Sequence, residues 1–212
     1  MISKFLIVLP TASAQKPKAL LNIKPIRGGQ RWNEKTMATL YTIGHSTRPI
    51  EELISPLQAH SIKTLVDIRA FPMSRRLPHF NRENLEKSLA EAGIRYVWMK
   101  ELGGRRKKSL EASPNIALRN DSFRNYADYM LTPEFERAMG ELVALAEQSR
   151  TAYMCAERVY FKCHRMLVSD WLLAHGHEVL HIDNEKPAKA HKLMAEARME
   201  DGRLIYRGDR LL

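Results

Sequence analysis

A chain of 212 residues is long enough for one domain with a substantial core and too short for two large ones. With 44% hydrophobic and 27% charged residues, its composition is that of an ordinary globular protein, and no apolar run approaches the roughly 18 residues of a membrane-spanning helix. The net charge of +10 invites a nucleic-acid reading, but residues 1–36 hold seven Lys or Arg against one Glu, so most of the excess belongs to the leader. Only local clusters, Arg75-Arg76 and Arg105 to Lys108, still speak for an anionic partner in the body of the chain.

The leader lacks convincing periodicity. Phe5 to Leu9 is apolar and Ala12-Ser13-Ala14 resembles a signal-peptidase site, yet the apolar core is too short against the roughly 7–15 residues of a secretory segment. Residues 1–36 are therefore expected to be a basic, disordered tail, or to reflect a start assigned too early, with Met37 as the alternative initiator. Two cysteines make no disulfide scaffold, and a Cys close to a Cys-His pair suits a reducing, cytoplasmic setting.

From Thr39 the pattern turns regular. Residues 40–43 read as a strand ending in Gly44-His45-Ser46-Thr47, with Ser46 or Thr47 capping a helix that carries Glu51 and Glu52 in its first turn. Residues 64–68 form a second strand, nearly all apolar, as expected when both faces are covered. A loop with Arg69, Arg75 and Arg76 follows, then a helix capped by Asn81 and stopped by Gly93. A third strand, 94–99, leads into Gly103-Gly104 and a long surface loop through Asn120. Helices are expected at 121–131 and 133–148, the second with Pro133 in its first turn. A fourth strand at 151–155, a helix from Cys163 to His175, a fifth strand at 178–182, a helix near 187–198 and a short strand at 204–206 complete the chain.

Alternating strands and helices predict an α/β fold, a single domain over residues 37–212 with a mainly parallel central sheet of about five strands flanked by helices. Ligands of such sheets bind beyond the carboxyl ends of the strands. Here those ends carry Gly44, His45 and Ser46; Asp67 and Arg69; Gly103, Gly104 and Arg105; Cys155 and Glu157; and His181 and Asp183. Five polar ends on one edge predict a shared cleft.

Tyr153 to Arg165 concentrates the chemistry. Cys163 is placed at or just before a helix start, where free N–H groups, the macrodipole, His164 and Arg165 favour a thiolate. It reads as a nucleophile or redox thiol, with Glu157 or His45 as acid or base; simple packing at a helix start is its plainer role. Cys155, at a strand end, is a secondary candidate that core packing explains as well. Cys155, Cys163 and His164 could ligate zinc, or the two thiols could form a redox disulfide, but the spacing matches no CxxC pair and no metal ligand is assigned. His45 could move a proton or brace its loop. Asp67 and Arg69 lie on the same side of a strand and could pair with each other. Gly103-Gly104 could admit a phosphate, although no Walker or dinucleotide fingerprint is present.

These residues carry a family resemblance. Thr42-Ile-Gly-His-Ser46, Leu65-Val-Asp-Ile-Arg69 with Phe71-Pro72 and Ser74-Arg75-Arg76, Leu102-Gly-Gly-Arg105, and Cys155-Ala-Glu157 with Cys163-His-Arg165 resemble the DUF488 family over residues 39–185. Residues 158–162 are more aromatic than the acidic, proline-containing version of many members. The resemblance implies a bacterial or archaeal intracellular protein. Because that family is a domain of unknown function, it implies no catalytic residue, substrate or cofactor.

The sequence is thus read as a cysteine-dependent hydrolase, transferase or thiol redox enzyme that uses Cys163 on an anionic, phosphate-bearing substrate, a nucleotide or nucleic acid. Arg69, Arg75, Arg76, Arg105 and Arg165 would bind the anion, with Ser46, Asp67, Gly103, Gly104 and His164 completing the site. No cofactor is named by these residues. The alternatives are a non-catalytic nucleic-acid-binding module, in which Tyr160, Phe161 or Trp98 stacks on bases, and an inert structural or regulatory domain.

Overall fold

The computed structural model describes residues 37–208, so the leader expected over residues 1–36 lies outside the described residues. Strands β1 (Thr39–Gly44), β2 (Thr64–Asp67), β3 (Arg95–Trp98), β4 (Thr151–Cys155), β5 (Glu178–His181) and β6 (Lys189–Ala190) make one sheet in the order β3-β2-β4-β1-β5-β6. The first five are mutually parallel and β6 runs antiparallel to β5. The expected five-stranded sheet is therefore present with one short edge strand added. Helices α1 (Glu51–Ala59), α2 (Arg82–Glu91), α3 (Asp121–Tyr129), α4 (Pro133–Gln148) and α5 (Arg165–Ala174) flank it.

Side-chain alternation along the strands divides the core in two. Tyr41, Ile43, Leu65, Ala152 and Met154 face a cluster completed by Leu53 and Leu57 of α1 and Leu85 and Leu89 of α2. Leu40, Val66, Tyr153 and Cys155 face the other, built from Tyr126 of α3, Phe135 and Leu142 of α4, and Leu167 and Trp171 of α5. Both faces of β4 are thus covered, which explains why all five of its residues are buried. The same alternation places Cys155 on the α3–α5 side. Gly93 and Gly176 end their helices with positive φ, 72° and 86°, a conformation that glycine adopts without steric cost.

Two local expectations are corrected. The helix after β1 starts at Glu51 with Ile50 as its cap residue and no side-chain cap bond. Neither Ser46 nor Thr47 caps it; Ser46 turns at φ 55° and gives its N–H to the Ala156 carbonyl at 2.9 Å. The helix expected near 187–198 is absent: β6 occupies 189–190, and Ala197–Glu200 is strand β7, which pairs with β8 (Arg203–Tyr206) in a hairpin. Ala, Lys, Leu and Met favour a helix locally, but long-range bonds decide otherwise. Buried Asp170 of α5 accepts from His191 Nε2 at 2.8 Å, from Met194 N at 3.1 Å and from the Tyr206 hydroxyl at 3.0 Å. His191 N also bonds the Val179 carbonyl at 2.8 Å, and His191 Nδ1 meets His181 Nε2 at 3.0 Å. Asp201-Gly202, both at positive φ, makes the tight turn between β7 and β8.

Candidate active site

Cys155 ends β4 directly opposite Gly44 on β1. The two strand ends stay stitched together beyond the sheet, His45 N bonding the Cys155 carbonyl at 3.1 Å. The chain then folds back over β1 so closely that a Cβ on Gly44 would lie 1.9 Å from the Glu157 carbonyl oxygen. Only glycine fits there. After Val159 a 3₁₀ turn, Tyr160–Lys162, leads to Cys163, whose N–H bonds the Tyr160 carbonyl at 3.3 Å; His164 is the cap residue of α5.

Arg165, the first residue of α5, is 1% exposed and ties this loop down. Its NH1 donates to Thr42 Oγ1 at 3.2 Å, its NH2 to the carbonyls of Glu157 and Arg158 at 2.5 and 3.0 Å, and its Nε to Cys163 Sγ at 3.4 Å. Among the described residues no carboxylate is in ion-pair contact with it. A buried guanidinium held by carbonyls, a hydroxyl and a sulfur lacks a counter-charge, and ionisation of the adjacent thiols supplies one.

The two thiols divide that ionisation unequally. The Cys155 thiol is lowered from 9.0 to about 7, first by the neighbouring Cys163 side chain, with further help from the N–H of Glu157, the charge of Arg165 and the N–H of Ala156, against the opposing effect of burial. Cys163 is pushed up by the neighbouring Cys155 side chain and by burial, and its Sγ donates to the Tyr160 carbonyl at 3.6 Å. The sequence places the activated thiol on Cys163, which receives the Arg165 Nε bond; the directions of the two pKa shifts point to Cys155. His164 Nε2 donates to the Ile68 carbonyl at 3.0 Å, which leaves Nδ1 as a lone pair 3.9 Å from Cys155 Sγ. Burial lowers the His164 pKa and keeps the ring neutral.

A cavity of about 620 Å³ opens over these groups. Cys155, Cys163 and His164 line it together with Arg69, Gly104, Arg105 and Lys162, with Phe71 and Met73 from the loop after β2, and with Asn120, Ser122 and Phe123 from the start of α3. Its lining contains no carboxylate. Arg105 and Lys162 are exposed, and Asn120 Oδ1 accepts from the N–H groups of Ser122 and Phe123, capping the positive end of α3 at the rim.

Of the remaining candidates, Arg69 and Gly104 line the cavity and the others lie outside its lining. Asp67 is fully buried and accepts from Arg69 N at 3.0 Å, Arg69 Nε at 2.9 Å, Arg69 NH2 at 2.5 Å and the Tyr96 hydroxyl at 2.7 Å. The suspected Asp67–Arg69 pair is real, and Arg69 also reaches the Phe80 carbonyl at 2.9 Å and His45 Nε2 at 3.2 Å. His45 donates from Nδ1 to the Ser46 carbonyl, stacks on Phe80 with centroids 4.0 Å apart, and is lowered to about 4 by burial and then by Arg69, so it stays neutral. It braces Arg69. Glu157 is exposed, its Oε1 accepts from Val159 N at 3.3 Å, and it does not line the cavity. Ser46, Arg75 and Arg76 do not line it either. Gly103 and Gly104 allow close packing: a Cβ on Gly103 would lie 2.8 Å from Ala70 Cα, and one on Gly104 2.4 Å from His164 Nδ1. Tyr160 is stacked on His181 at 3.5 Å, and Arg82 covers Trp98 at 4.8 Å, whereas Phe161 is exposed.

Sequence reasoning missed Lys162 and the 120–123 segment. Lys162 carried a signal, standing next to Cys163; the α3 start carried none, since its place depends on packing. Among the described residues, Cys155, Cys163 and His164 form the group able to hold a metal ion, their ligating atoms lying within 4.8 Å of one another. The Arg165 guanidinium, 3.4 Å from one of these sulfurs, already sets a fixed positive charge where a cation would need a negative one.

Comparison with known proteins bears on the family alone. No curated protein and no solved structure matches the chain. The model of the family described as "Domain of unknown function DUF488" matches residues 49–172, which is more than half of the chain and runs from the α1 start through Asp67, Arg69, both cysteines and Arg165. The chain belongs to the DUF488 family.

Proposed function

We propose that the protein is a cysteine-dependent enzyme in which Cys155 attacks an anionic substrate bound in the basic cavity. The observation that carries this reading is buried Arg165, which faces the thiol pair without a carboxylate partner among the described residues. A thiolate is the nucleophilic form of cysteine, and a nearby fixed cation favours it. Arg105 and Lys162 hold the anion, the α3 start adds N–H dipoles, and neutral His164 offers its Nδ1 lone pair to a proton leaving Cys155. A phosphate-bearing molecule such as a nucleotide suits the charge and the volume.

Alkylation tests it. Cys155 should be modified before Cys163, with a rate that rises through pH 7 and levels off above it, because the reactive form is the deprotonated one. Anionic iodoacetate should gain on neutral iodoacetamide as salt is lowered. Prior modification of Cys163, a midpoint near the free-thiol value of ~8.5, or stoichiometric zinc in the purified protein would each overturn the assignment.

One feature favours a second reading, a binding module for single-stranded nucleic acid. Phe71 and Met73 are 66% and 79% exposed, and Arg105 lies 5.8 Å over the Phe71 ring. On that reading Phe71→Ala weakens oligonucleotide binding and Cys155→Ser leaves it unchanged. Loss of all binding on removal of residues 1–36 would place the affinity in the leader instead.

A further inference from the structure

We propose that Cys163 is a resolving thiol and that this site carries out thiol–disulfide exchange with a small, carboxylate-bearing organic disulfide; the inference rests on Cys155 being the attacking thiol. A hydrolase or phosphoryl transferase needs one nucleophile and a water, and a second thiol against the first has no step to perform there. Here both sulfurs line the same cavity and share one cluster with His164, within 4.8 Å. Cys163 is also the sulfur that Arg165 Nε touches, at 3.4 Å. The guanidinium is thus already in place as counter-charge when Cys163 must ionise in its turn.

The order of events follows from the neighbours of the two sulfurs. Cys155 Sγ lies 3.9 Å from the His164 Nδ1 lone pair that takes its proton, while Cys163 Sγ donates to the Tyr160 carbonyl at 3.6 Å and keeps its own. Cys155 Sγ attacks one sulfur of the substrate disulfide; a Cys155–S–S–R bond forms, the substrate S–S bond breaks, and RS⁻ leaves and takes up a proton. The charge on Cys155 has then been consumed, so ionisation of Cys163 is no longer opposed by it, and Cys163 gives its proton to His164 Nδ1, within 4.8 Å. Cys163 Sγ attacks Cys155 Sγ, the Cys155–Cys163 disulfide forms, and the second RS⁻ leaves with that proton. Two protein thiols are oxidised, one substrate disulfide is reduced to two thiols, and an external thiol restores the enzyme by the reverse exchange.

The cavity selects the substrate class. About 620 Å³ is far more than a hydroperoxide requires, and a lining with Arg105 and Lys162 and no carboxylate favours an organic anion over a neutral or cationic one.

The experiment is intact-mass analysis of the full chain after timed exposure to glutathione disulfide, which is anionic, or cystamine, which is cationic. The wild type should pass through a glutathionyl adduct and settle at the loss of two hydrogens, with glutathione disulfide the faster by ~10-fold at low salt and the advantage shrinking as salt rises. Cys163→Ser should stop at a stable adduct on Cys155, and Cys155→Ser should react slowly with both reagents; circular dichroism checks that each variant is folded. The wild-type comparison alone decides the substrate class, since equal rates or a faster cystamine reaction would overturn it. A wild-type adduct that persists without closing to a disulfide would overturn the role of Cys163. If Cys155 still alkylates with a midpoint near 7 but glutathione disulfide leaves both thiols free, the exchange reaction falls and the thiolate enzyme stands. If Cys155 reacts with neither reagent class, both fall.

Discussion

Asp67→Ala should destabilise the fold by about 3–5 kcal/mol, the usual cost of removing one partner from a buried ion pair. Asp67 is fully buried and Arg69 is 6% exposed. The carboxylate accepts two side-chain nitrogens of Arg69, the Arg69 backbone N–H and the Tyr96 hydroxyl. Without it the guanidinium keeps only the Phe80 carbonyl and a His45 ring that burial holds neutral. The Tyr96 phenol, now raised by burial and by the charge of Asp67, loses its acceptor as well. Urea unfolding should show a lower midpoint with an unchanged slope. The double variant Asp67→Ala/Arg69→Met should recover part of the loss, because it removes the stranded charge too. A double variant less stable than the sum of both singles would refute this account.

That pair also shows what the sequence made legible. Asp67 ends β2 and Arg69 follows two residues on, so the strand period of two suggests their shared side, and the alternation of apolar strands with helices implies that this strand end meets the others. Pro133, Gly93 and Gly176 marked helix ends through backbone restrictions that do not depend on tertiary context. What escaped depends on distant partners. Residues 187–198 look helical until Asp170, His181 and His191 are brought together across the fold. The helix start expected at Cys163 is displaced: a 3₁₀ turn precedes that residue and α5 begins at Arg165. Glu157 stands beside the cysteines in sequence, and its carboxylate accepts from Val159 N outside the cavity lining. Gly103 and Gly104, which could admit a phosphate, make room for Ala70 and His164 of the same chain, as Gly44 does for Glu157.

Arg165→Met should separate the electrostatic and structural duties of that residue. Methionine preserves the bulk and removes the charge, so the Cys155 thiol should move up from about 7 toward its ordinary value, lowering the thiolate fraction at neutral pH and slowing alkylation by roughly 10-fold. A less acidic thiol is also a better nucleophile once ionised, so the rate changes less than the thiolate fraction, and the midpoint of the pH profile is the cleaner readout. The sign is fixed: the midpoint rises, and the plateau above it stays the same or increases. The carbonyls of Glu157 and Arg158 and the Thr42 hydroxyl lose their donor, which should cost about 2–4 kcal/mol in all and loosen the loop between the cysteines. Arg165→Lys distinguishes the two duties, because it retains the positive charge and cannot span three acceptors and a sulfur with one ammonium. It should keep the midpoint near that of the wild type while losing most of the same stability. If both variants leave the midpoint unmoved, Arg165 is a loop clamp alone, and the low Cys155 value belongs to Cys163 and the backbone N–H groups of Ala156 and Glu157. Cys163→Ala then becomes the variant that should raise it.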